Sequence, residues 1–89
     1  MGAFVELQGT IEDAAGVRIF ELRILDPVAD LKTPHHDYFC RIHCPALLHN
    51  DFDVYGVDGD QAKDLALQYI RARLKGAVVR NKQGRVVNI

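Results

Sequence analysis

The stretch that decides the fold is HHDYFCRIHC, residues 35–44, which together with His49 holds every histidine and both cysteines of the chain. Its conformation selects between two chemistries. As a helix it would carry His36, Cys40, His43 and Cys44 on one side, at steps of four, three and one, which is a chelating arrangement. As a strand it would disperse them. Cys40 and Cys44 would share a face ~13 Å apart, beyond both a disulfide and the ~4 Å between two thiolates on one zinc ion. His43 would point the other way, with His36 ~23 Å from it along the strand.

Strand is the expectation. Tyr38, Phe39 and Ile42 suit a pleated surface, only ten residues separate Pro34 from Pro45, and no cap signal opens a helix there. Tyr38–Cys44 then turns Cys40, Ile42 and Cys44 inward as a row of small apolar groups, since buried free cysteine behaves as a hydrophobe. No cofactor is expected. A metal-binding module remains the alternative, with Cys40, His43, Cys44 and His49 as its ligands and the strand end as its place.

Working outward, residues 4–13 alternate apolar and polar, with Val5, Leu7 and Ile11 on one side and Glu6, Gln8, Thr10 and Glu12 on the other. This predicts a half-buried strand. After the turn at 14–16, residues 17–25 face Phe20, Leu22 and Ile24 one way and Glu21 and Arg23 the other, which completes a β-hairpin. Asp26-Pro27 and Thr33-Pro34 bracket a loop, because each proline biases the residue before it away from helix and donates nothing to a ladder. Residues 52–57 predict a short fourth strand.

Next comes a helix from about Gly59 to Lys75. Asp58 and Gln61 have capping-box spacing, and Ala62, Leu65, Ala66, Tyr69, Ile70 and Leu74 recur at steps of three and four as one apolar stripe. Gly76 is placed to end it, as the C′ residue in a left-handed conformation, and Arg71, Arg73 and Lys75 complement the dipole in the last turns. At ~1.5 Å per residue this helix is roughly 25 Å long, enough to cross a four-stranded sheet. The final AVVRNKQGRVVNI predicts a short hairpin around residues 81–84. The expected fold is therefore α+β: an antiparallel sheet of four or more strands, one long helix on one face and a short C-terminal hairpin. At 89 residues one modest core is affordable, and a single domain spanning 1–89 is expected.

The run GVDGDQAKDLAL, Gly56 to Leu67, with Tyr38 and Cys40 before it, resembles a family of small bacterial domains of unknown function. That family has an aromatic-x-Cys strand, a return strand ending in Gly-x-Asp, and a helix opening Gln-Ala with spaced leucines. Here Gly56, Asp58, Gln61, Ala62, Leu65 and Leu67 hold those positions. The resemblance implies a strand-rich domain with one covering helix, and no activity.

Other motifs fall short of chemistry. Asp51, Asp53 and Gly56 echo the start of a calcium loop, but Tyr55 takes the fifth position and Ala62 the twelfth, where a bidentate Glu is needed. Cys40 or Cys44 beside His43 could suggest an activated thiol, yet adjacent strand residues point apart. Residues 62–89 hold seven basic and one acidic side chain against four and eleven before them, so the last third is a cationic block. Arg71, Lys75, Arg80, Lys82 and Arg85 could bind phosphates weakly. No aromatic stacking platform accompanies them, and nucleic acid is not the expected partner.

No apolar run approaches the ~20 residues of a membrane span and no export signal opens the sequence, so a cytoplasmic chain without membrane association is expected. An enzyme is not. One helix covers one face of a sheet, and Phe4, Phe39 and Tyr55 on the other would form an apolar patch suited to a protein partner or to a homodimer.

Overall fold

The computed structural model describes residues 2–34 and 37–89, and in it a six-stranded antiparallel sheet carries one helix on one face. Strands β1 (Ala3–Asp13) and β2 (Gly16–Leu25) form a long hairpin closed at Ala14-Ala15, where Asp13 Oδ1 accepts a 2.9 Å hydrogen bond from the Ala15 N–H. Cross-strand partners share a face, and the register pairs Val5 with Ile24, Leu7 with Leu22 and Gly9 with Phe20. The alternation read from sequence thus becomes one buried face. Phe20, Leu22, Ile24 and Ile11 are all fully buried.

At its start β1 departs from simple alternation. Ala3 opposes Leu25 but Val5 opposes Ile24, so Phe4 is the extra residue of a bulge. Its ring packs on the core from the helix side, with Lys63 Nζ 5.4 Å from the ring centroid.

Strand β3 is only Val28–Ala29, within the segment expected to be loop, and β4 is Tyr38–His43. Ile24 pairs with Ile42 of β4 and Val28 with Phe39, leaving three residues of one chain against two of the other. β2 and β3 are therefore one strand broken by an irregularity at Leu25-Asp26-Pro27. Pro27 has no N–H to donate and is tolerated where the ladder is interrupted. Strand β5 (Phe52–Gly56) lies on the other side of β4. Helix α1 (Gly59–Arg73) follows, and β6 (Val78–Asn81) returns to pair with β1.

Asp58 caps α1 in extended conformation, its Oδ1 accepting from the Gln61 N–H at 2.8 Å. Gln61 reaches back to the Val57 N–H at 2.7 Å, one residue earlier than a reciprocal capping box requires. The helix stops at Arg73 with Leu74 as its C-cap, so Gly76, at φ +83°, makes the left-handed turn one residue beyond C′. Ala62, Ala66 and Ile70 are its fully buried stripe. Gly56 lets the helix start sit directly on β5: a Cβ there would lie 2.5 Å from the Ala62 backbone nitrogen.

Only the first arm of the C-terminal hairpin is a continuous strand. The return arm is the single bridge Arg80 to Val86, with the Val87 N–H donating to the Val79 carbonyl at 2.8 Å. Asn81 Oδ1 accepts from the Gln83 and Arg85 N–H groups instead, so a side chain organises the turn. One buried cluster joins the helix and the strands, and it holds no polar or charged residue among those described. No described helix is long and apolar enough to cross a membrane.

Candidate functional site

Alternation along β4 divides its residues between two environments. Cys40 and Ile42 face the helix fully buried, followed by Cys44 at 1% exposure. Burial pushes both thiols up from their ordinary pKa, because the charged form loses water; for Cys44 the Leu47 and Ala46 N–H groups partly oppose this. Both cysteines are free.

Phe39, Arg41 and His43 face away from the helix. Each meets a residue in or beside β5. The Phe39 and Tyr55 rings are tilted with centroids 5.5 Å apart, and Arg41 grips Asp53 through two hydrogen bonds of 2.8 and 3.1 Å. His43 Nδ1 lies 2.7 Å from Asp51 Oδ1. The Arg41 guanidinium also stands 5.7 Å from the Phe39 ring centroid. Loss of water, then the Asp30 carboxylate, pushes the Tyr55 hydroxyl pKa up, so the ring carries a neutral phenol. A shallow groove of about 530 Å³ runs over this surface, with Val28, Leu31, Phe39, Arg41, Asp53 and Tyr55 among its walls.

The side chains considered as metal ligands divide accordingly. Cys40 and Cys44 lie beneath the helix, whereas His43 stands on the opposite face, held by Asp51. His49 is exposed in the segment between β4 and β5, beside a depression that also touches Arg41 and Asp51. His35 and His36 lie outside the described residues. Among the described residues no three His, Cys, Asp or Glu side chains converge on a possible ion.

Of the three residues expected to form a partner surface, the structure brings Phe39 and Tyr55 together and sends Phe4 to the other side of the sheet. The basic residues are distributed. Arg80 sits 3.6 Å from Glu12 on the helix-free face, while Arg71 donates from the helix to the Ile89 carbonyl at 2.6 Å. Arg73 donates to the Leu47 carbonyl at 2.9 Å, and Lys75, Lys82 and Arg85 are exposed.

Sequence reasoning passed over several exposed apolar residues. Phe52 and Val57, on either side of the expected Tyr55, are 44% and 69% exposed, and Tyr55 itself is 46% exposed. Val17 and Ile19 are exposed on the helix-free face, where alternation from Glu21 and Arg23 already pointed them. No protein-family model matches the chain, and neither a curated protein nor a solved structure matches it.

Proposed function

We propose that this chain is a small, non-catalytic bacterial domain of the cytoplasm that works by binding another protein chain, its own copy included. The observation that carries this reading is the pairing of its chemistry. Its thiols are buried with their ionisation opposed, and Arg41 and His43 are each occupied by a carboxylate. Around β5 and the groove it offers apolar groups to solvent: Phe52, Tyr55 and Val57 in or beside the strand, and Leu31. Contacts between proteins draw on such aromatic and aliphatic surface, with polar groups at the rim. The resemblance of Gly56–Leu67 to a family of small bacterial domains implies no activity and supports only the bacterial, non-catalytic part of this reading.

Sedimentation of the untagged protein over ~5 to 500 μM, with native mass spectrometry of the chain recovered from its own host, tests the proposal. Species heavier than the 10.0 kDa protomer are expected. A lone protomer in both experiments, with no protein attached, would overturn it.

A further inference from the structure

The sheet leaves β5 with one side unpaired. Strand β4 takes its other side, and among the described residues no backbone group of 52–56 has a partner away from β4. The opposite end of the sheet is finished differently, since the tail covers β6 through the Val87 to Val79 hydrogen bond and the bridge at Val86. The distal half of β2 is flanked by the turn at 44–48, which Arg18 anchors by donating to the Ala46 carbonyl at 2.9 Å. Exposed edges are commonly guarded by lysine, proline or a bulge. FDVYG has none of these guards, and its one charge, Asp53, is held by Arg41.

An unpaired row of N–H and C=O groups asks for another extended backbone. The side chains around it are apolar on both faces. Toward the helix, Phe52 stacks on Tyr69 with centroids 4.8 Å apart, and toward the bare face Tyr55 stands against Phe39. Lys63, over Phe4, marks the flank of α1 that faces β1, so the Tyr69 flank faces the open edge. On that flank helical spacing aligns Gln61, Leu65, Gln68 and Ala72, all uncharged, whereas Asp60, Asp64 and Arg71 align elsewhere and Lys75, next in the row, lies beyond the end of the helix.

Resting on the interaction reading above, we infer that β5 pairs antiparallel with β5 of a second copy about a two-fold axis at Val54, joining two sheets into one. The pattern is self-complementary. In that register Asp53 opposes Tyr55 of the second copy and Phe52 opposes its Gly56, so no like charges meet. The uncharged flanks of the two helices then run side by side, antiparallel. A five-residue edge is only ~17 Å long, whereas a standard interface buries ~800 Å² per partner, so the aromatic rims supply the remaining contact. Such a dimer is weak and exchanges readily with its protomers.

The test follows amide exchange and sedimentation together. In the wild-type protein, exchange at 52–56 slows as concentration rises from ~5 to 500 μM, while residues 16–21 and 78–81 keep their rates. Val57→Asp, at a 69% exposed site that leaves the fold intact, places a carboxylate opposite Asp51 of the second copy and weakens association about fivefold. Val57→Lys at the same site preserves or tightens it. Phe52→Lys, checked for folding by circular dichroism, weakens it more than ~20-fold. A dimer that ignores all three changes, or protects other strands instead, overturns the β5 pairing and leaves the interaction reading standing. A wild-type chain that stays a protomer throughout overturns self-association itself.

Discussion

The inward and outward rows of β4 come from one strand, yet they do different work. Inward, Cys40 and Ile42 lose all contact with water, and their value is the apolar surface they remove from it. Outward, Phe39, Arg41 and His43 keep partial exposure and satisfy themselves in pairs with Tyr55, Asp53 and Asp51. The difference teaches that the residues with the most conspicuous chemistry in the sequence, the cysteines, act as packing. Their quieter neighbours make the surface another molecule would meet.

The sharpest attempt to break this comparison removes inward bulk. Ile42→Ala leaves a cavity beneath α1 at a fully buried position and should cost ~2–5 kcal/mol in urea unfolding. Phe39→Ala, one residue earlier and facing the groove, should cost distinctly less. Equal losses would mean that the two rows share the burden of stability. A second large effect comes from adding one methyl. Gly56→Ala brings a Cβ to 2.5 Å from the Ala62 nitrogen, so α1 must shift off β5, with an expected loss of ~1–3 kcal/mol. Faster amide exchange in the first turn of the helix is the local readout.

Much of this arrangement was legible beforehand because it obeys local periodicity. The period-two pattern of β1 and β2, the inward row of β4 and the Asp58 cap all follow from neighbours in the chain. What could not be read depends on distant partners. Phe4 has the parity of the outward residues, and only the bulge against Leu25 and Ile24 turns it to the helix. Residues 28–29 look like loop because two prolines bracket them, and become strand only when β4 arrives alongside. The site was half visible for the same reason. Phe39 and Tyr55 meet because β4 and β5 pair in one register, whereas the unpaired edge of β5 is a property of strand order, which no short stretch of sequence carries.

Smaller effects sharpen the contrast. Asp58→Ala removes the side-chain acceptor of the Gln61 N–H and should cost ~1 kcal/mol, without altering either face of β4. The inward thiols predict a pH response. Burial raises their pKa in the folded chain, so on alkalisation the unfolded chain releases its thiol protons first and stability falls. Their stabilising contribution is complete below the ordinary thiol value of about 8.5 and declines above it. The thermal midpoint should therefore drop more steeply between pH ~8 and ~10 in the wild type than in a Cys40→Ala, Cys44→Ala double variant. Parallel slopes would show that the thiols ionise equally in both states.

The smallest effect on stability falls on the outward row and separates folding from association. Arg41→Gln removes the two-point grip on Asp53 at an exposed position, where solvent and salt screen the pair, so the thermal midpoint should move by no more than ~2 °C. The same change leaves the Asp53 charge uncompensated on the open strand. In the β5 pairing the two Asp53 carboxylates stand diagonally across the two-fold axis, ~7–8 Å apart, so without Arg41 the variant should associate more weakly than wild type at low salt and recover as salt is raised. If Arg41→Gln instead lowers stability as much as Ile42→Ala does, the outward row belongs to the fold's energetics. Its pairing with β5 would then be a structural tie between two strands, and the open edge would lose its claim to a neutralised surface.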